Sequence, residues 1–172
     1  MMEWQQLLTR QRLSQNSPID SESLRTCFQR DYDRLVFSSP FRRLKDKTQV
    51  YSLPENDYLR TRLIHSIEVS CVGRSLGTIV GNEIIKRHNL KNYYPSDFGD
   101  IVSAASLAHD IGNPPFGHAG EDAIQSGFQK WYVNIQNCLT DIQETDFNLF
   151  EGNAQGFRIV SNLEMQPRKG GM

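Results

Sequence analysis

Residues 106–124 read SLAHDIGNPPFGHAGEDAI, and the way this stretch divides determines what the rest of the chain must build. An apolar helical pattern carried by Ala105, Leu107 and Ala108 stops at the adjacent pair His109 and Asp110. Gly112 follows as a candidate helix C-cap, and Pro114 and Pro115 keep the helix from continuing. A second helix can begin near Gly117 or His118, which would set His118 and Glu121 three residues apart on one face. Two side chains with metal-ligand chemistry thus end one helix, and a candidate acid/base pair begins the next.

Upstream, Lys91 to Pro95 reads as a loop and Ser96 or Asp97 as a helix cap. The stripe Phe98, Ile101, Val102 and Ala105 then leads to His109 at the next helical step. The longest periodic segment runs from about Leu59 to His88. There Val69, Val72, Leu76, Ile79, Val80 and Ile84 recur at intervals of three and four, which predicts one buried stripe. His65 falls four residues before Val69 and is predicted to face inward, with Arg62 one turn earlier on the same side. A single histidine on such a face is commonly a core residue with a hydrogen-bond partner, but two helices packed together would bring His65 to His109. Gly73, Gly77 and Gly81 leave a smooth strip for close approach of another helix, and His88, in the polar IKRHNLKN, is predicted at the surface.

Further out, the signals are shorter. A short helix is predicted within residues 3–13, a loop at Ser14 to Ser23, a helix from Leu24 to Phe37 and a turn at Leu53 to Asp57. Ser39 and Pro40 make an N-cap and N1 pair for a brief helix through Phe41, Leu44 and Lys47. Its Arg42, Arg43, Lys45 and Lys47 read most simply as a solvated face. Beyond Glu121 the helix is predicted to run through Ala123, Ile124 and Phe128 to Trp131. Asn134 to Thr145 reads as irregular, Phe147 to Leu163 as helical, and the final MQPRKGGM as turn-like. No segment has the period-two alternation of a sheet, so the predicted class is all-α.

At 172 residues, 38% hydrophobic and 23% charged, the chain has the size and composition of one soluble domain. The net charge of -1 gives no general case for nucleic-acid or membrane binding. Cys27, Cys71 and Cys138 are odd in number and widely spaced. That argues against a disulfide framework and fits a cytoplasmic location, and no stretch has the length and apolarity of a membrane span.

Imidazole nitrogen and carboxylate oxygen together suit a divalent ion engaged in hydrolysis, with Mn, Fe, Zn, Ni and Mg all compatible. A His-Asp dipeptide alone is common. An inward histidine upstream, a Gly-Asn-Pro-Pro break and a following His-x-x-Glu make this one informative.

The order His65, then His109-Asp110, resembles the HD superfamily of metal-dependent phosphohydrolases. Within it, FRRLKDKTQV (41–50), TRLIHS (61–66), AHDIGNPPFGHAGEDAI (108–124) and FEGNAQGFR (150–158) resemble the deoxyguanosine triphosphate triphosphohydrolases, in that family's order. The resemblance implies an HD-domain helical bundle that assembles as a homo-oligomer and needs a divalent metal, Mn or Mg, with Fe, Ni or Zn as other candidates. It implies hydrolysis of dGTP or another dNTP at the α-phosphate, giving deoxynucleoside and inorganic triphosphate. Carried over by position, His65, His109 and Asp110 match metal ligands. His118 matches the histidine that transfers a proton near the leaving 5′ oxygen, and Glu121 its partner carboxylate. Gln49 and Arg62 match deoxyribose and phosphate contacts, while Asn113, Asn153 and Gln155 fall in motifs lining the site.

On this reading residues 1–58 are an N-terminal helical segment beside the nucleotide site and 59–172 a partial HD core. The family's fourth ligand is an Asp on a later helix, and neither Asp141 nor Asp146 sits in the matching place. The chain is therefore expected to be an N-terminal portion, lacking the C-terminal helices, with weak metal binding and little turnover alone. Two alternatives stay open. One is another HD nucleotide phosphohydrolase or phosphodiesterase. The other is a non-catalytic paralogue acting as an oligomer partner, or binding single-stranded nucleic acid through residues 42–47.

Overall fold

The computed structural model describes residues 3–11, 24–49, 60–133 and 138–164. The elements in chain order are α1 (Trp4–Leu7), α2 (Cys27–Phe37), α3 (Ser39–Arg43) with a 3₁₀ turn over Leu44–Asp46, α4 (Arg62–His88) and α5 (Pro95–Ala108). Then come α6 (His118–Tyr132), α7 (Asp141–Asn148) and α8 (Gly152–Arg158), which runs into a π-helical turn over Ile159–Leu163. Among the described residues there is no strand, so the all-α expectation holds. One isolated bridge joins Thr48 to Thr61, flanked by Arg62 N donating to Lys47 O at 2.9 Å. The loop read at 14–23, the turn at 53–57 and the terminal segment from 165 lie outside the described residues.

Local chemistry sets most of the boundaries. Thr26 caps α2 in a reciprocal capping box with Gln29, and Thr61 accepts from Ile64 N to start α4. Asn89 ends α4 in the left-handed conformation. Three predicted boundaries move. Ser38, not Ser39, caps α3, its hydroxyl accepting from Phe41 N. Pro95 sits in the first turn of α5, and Asp97 reaches back to accept from Tyr94 N at 2.9 Å instead of capping the helix itself. Residues 141–145, predicted irregular, open α7 because Thr140 and Gln143 make a complete capping box. The helix predicted over 147–163 is interrupted between α7 and α8.

The centre of the fold is α4 packed lengthwise on α5. Here the sequence-based stripe is corrected. The residues that α4 buries are Arg62, Ser66, Ser70, Gly73, Gly77 and Gly81, while Val72, Leu76, Ile79 and Val80 stand 53–64% exposed. The small residues let the two backbones approach, and close contact along that strip excludes the bulky row on the other side. The close approach predicted at the Gly strip is present, with α5 atoms 2.6–2.8 Å from where Cβ atoms of Gly73, Gly77 and Gly81 would lie. On α5, Phe98 is buried as expected, but Val102 and Ala105 are exposed, and Ser103, Ala104 and Leu107 take the inner positions. Ser70 and Ser103 meet across the pair with hydroxyls 2.7 Å apart.

Below this pair α2 and α3 supply the apolar core. Leu35, Phe41 and Leu44 pack with Ala104, Leu107 and Ile111, and Ile159 and Val160 close it from the C-terminal side. No helix among the described residues is long and apolar enough to cross a membrane. A Cβ on Gly77 would lie 2.8 Å from Phe98 O and 3.1 Å from Gly99 Cα. Gly77→Ala therefore sets a helix-propensity gain of about 1 kcal/mol against a forced separation of two backbones. Overpacking of this kind costs about 1–3 kcal/mol. A lower midpoint in thermal unfolding is the expected outcome, although the same change in an exposed helix would raise it.

Candidate metal centre

Two helices converge where α5 ends. His65 lies on the second turn of α4, and His109 and Asp110 follow the last residue of α5. The His65 and His109 rings meet edge to face with centroids 5.3 Å apart. One ligand atom from each of His65, His109 and Asp110 lies within 4.8 Å of the others. His109 Nδ1 is 2.7 Å from Ser106 O. A carbonyl can only accept, so Nδ1 carries the hydrogen and Nε2 presents its lone pair. That is the arrangement by which an outer hydrogen bond orients a metal-binding imidazole.

Asp110 is 3% exposed. Its Oδ1 accepts from Arg62 at 2.8 Å and from the Asn113 side-chain amide, and lies 3.7 Å from His109 Nε2. Its Oδ2 is buried with no hydrogen-bond partner among the described residues. A buried carboxylate oxygen left without a donor is costly unless something positive meets it. With the His65 and His109 imidazoles beside it, this carboxylate makes a donor set that fits a divalent cation.

Lys47 is turned in from the basic cluster. Its Nζ donates to Asn113 O at 2.7 Å, while Arg42, Arg43 and Lys45 remain exposed. Burial, and secondarily the charge of Arg62, push Lys47 below the ordinary lysine range. Sequence reading gave Lys47 no individual place. The bridge that anchors it, Lys47 O to Arg62 N, is a tertiary contact no periodicity reports.

The second cluster sits at the start of α6. Phe116 and Gly117 both take positive φ, 69° and 57°, turning the chain after the two prolines. His118 Nδ1 is 2.8 Å from Glu121 Oε2. Glu121 is buried, and its other oxygen accepts from Gly152 N at 2.7 Å. His118 itself is 95% exposed on its side chain. The hydrogen bond and charge of Glu121 raise the His118 pKa above its ordinary 6.5. The stabilisation from this pair is complete below the ordinary imidazole value and is lost as pH rises through the elevated one. An NMR titration of the His118 ring is expected to give a midpoint above 6.5, and Glu121→Gln to bring it down. No change on that substitution would remove Glu121 as the cause.

The remaining predicted residues are less tightly gathered. Gln49 is half-buried beside the bridge, its backbone N–H donating to Arg60 O. Asn153 is exposed and its side chain donates to Glu151 at 2.7 Å. Gln155 is half-buried on α8. Gly112 is no helix C-cap: its φ is not positive, and the C-cap of α5 is His109. It is instead where α8 comes close, since a Cβ there would lie 2.1 Å from Gly152 O.

Residues 62–155 match the HD domain family. The chain is 60% identical to a deoxyguanosinetriphosphate triphosphohydrolase-like protein of Synechocystis, over 99% of this chain and 40% of that protein. It is 50% identical to a like-named protein of Pseudomonas aeruginosa, over 99% of this chain and 38% of that one. For the Listeria monocytogenes counterpart the figures are 41%, 94% and 37%. The chain thus spans about two fifths of the length of these relatives.

Proposed function

The chain belongs to the HD domain family, and from that premise we propose that it carries the metal centre and proton-transfer pair of a nucleotide phosphohydrolase acting on dGTP or other dNTPs. The observation that carries the proposal is the convergence of His65, His109 and Asp110, with a fixed His109 tautomer and an unpartnered Asp110 Oδ2. The names borne by the relatives favour a deoxynucleoside triphosphate as substrate.

In this reading His65, His109 and Asp110 hold a divalent ion, with Mn or Mg first among the candidates. When bound, that ion polarises a phosphoryl oxygen and makes a water nucleophilic at neutral pH. The rest is the work of the chain. His118 Nδ1 is engaged by Glu121, so Nε2 is the nitrogen that can give its proton to the departing 5′ oxygen. The elevated His118 pKa keeps imidazolium available near neutrality. Lys47 and Arg62 place two positive charges beside the carboxylate, where a polyphosphate would approach. Gln49 is assigned to the deoxyribose, and Asn153 and Gln155 to the rim of the site.

The test is to incubate a long form of the protein, containing this chain and the region its relatives carry beyond it, with each dNTP and Mn2+. Inorganic triphosphate with deoxynucleoside is the expected product pair. Monophosphate or pyrophosphate would assign a different phosphohydrolase reaction. Inertness toward every dNTP, with salt-sensitive binding of single strands, would favour a non-catalytic role.

A further inference from the structure

The loop after Asp110 and the first turn of α8 meet at a contact that serves both clusters. The Asn113 amide nitrogen donates to Asp110 Oδ1, the same oxygen that Arg62 holds from the other side. The other end of that amide points at α8: a Cβ placed on Gly152 would lie 2.1 Å from Asn113 Oδ1 and 2.8 Å from Glu121 Oε1. Gly152 also gives its amide hydrogen to Glu121 Oε1. Only a residue with no side chain lets Asn113, Glu121 and the helix backbone share this space.

We infer that Asn113 is a positioning residue of the metal centre, held in place by Gly152, and that its side chain orients the Asp110 carboxylate toward the cation instead of contacting substrate. The inference rests on the metal-centre reading above. One donor, Arg62, leaves a carboxylate free to swing about it. A second donor of different origin fixes the plane, so the carboxylate is held in one orientation beside the His109 ring. Outer hydrogen bonds of this kind change metal affinity by about 10–100-fold when removed. Gly152 carries the same restraint to Glu121, so displacing α8 at this point disturbs the carboxylates of both clusters together.

The experiment uses the long form of the protein and three readouts other than turnover. Mn2+ titration should show Asn113→Ala binding roughly 10–100-fold more weakly than wild type, and the visible spectrum of the Co2+-loaded variant should differ from that of wild type. Gly152→Ala, which removes no hydrogen-bonding side chain, should shift the spectrum as well. In wild type, with no substitution to disturb folding, saturating Mg2+ should move the Asn113 side-chain amide resonances. If wild type binds Mn2+ but Asn113→Ala matches it in affinity and spectrum, the inference fails alone. Asn113 amide resonances unmoved by Mg2+ would do the same. If wild type takes up no Mn2+, the metal-centre reading fails, and this inference with it.

Discussion

On the proposed function, replacing His109 with alanine is expected to abolish Mn2+ binding and to lower dNTP turnover in the long form by on the order of 10³-fold, while the fold survives. The size follows from the several kcal/mol that a metal contributes to a developing phosphoryl charge, at about 1.4 kcal/mol per tenfold. Survival of the fold follows from where the side chain sits. His109 is 37% exposed on its side chain, and its ring hydrogen bond goes to Ser106 O in the preceding turn, so its loss breaks no hydrogen bond between helices and gives up a ring contact with the half-buried His65. Residual Asp110 would remain paired with Arg62 and Asn113. The measurement is Mn2+ titration beside a thermal melt of the metal-free protein. Undiminished Mn2+ binding would remove His109 from the ligand set. A collapsed melt would mean its role is structural.

The His109-Asp110 pair was legible as a candidate because its spacing is local. An adjacent His-Asp at the end of a helix, stopped by two prolines, is written in consecutive residues, and so is the three-residue step from His118 to Glu121. The class was legible for the same reason, since capping residues and helical periods are short-range. The inner face of α4 was misread. Its bulky row, Val72 to Val80, has the spacing of a buried side, yet burial there is decided by how closely α5 can come. Gly73, Gly77 and Gly81 permit that approach, and a hydrophobic period is blind to it. His65 was placed facing inward for the wrong reason. It is half-buried and meets His109, but the row it was thought to extend stands largely exposed. The links that join the two clusters, Lys47 to Asn113 and Gly152 to Glu121, span 66 and 31 residues. Each is a single hydrogen bond between segments whose meeting only the assembled fold determines.

Arg62→Met is expected to be the most destabilising single change at the site. Arg62 and Asp110 have side chains 8% and 5% exposed and lie 2.8 Å apart. Taking away one member of a buried pair leaves the other charge uncompensated, at a cost of about 3–5 kcal/mol. For a protein of this size that corresponds to a drop of roughly 10 °C in the unfolding midpoint, at about 2–4 °C per kcal/mol. Helix propensity does not confuse the result. Arg62 is the first residue of α4, where a positive charge opposes the helix dipole, and methionine is as good a helix former as arginine. The second half of the test removes both charges. Arg62→Met with Asp110→Leu should regain most of the lost stability, since replacing both members of a buried ion pair is often neutral, yet it should bind no Mn2+. Mn2+ itself should stabilise the single variant more than wild type, because the ion then supplies the only full positive charge held directly on Asp110, and ligand binding to the folded state raises its midpoint. Equal Mn2+ shifts in the two proteins would show that the carboxylate and the ion do not meet, and the site would have to be drawn without Asp110.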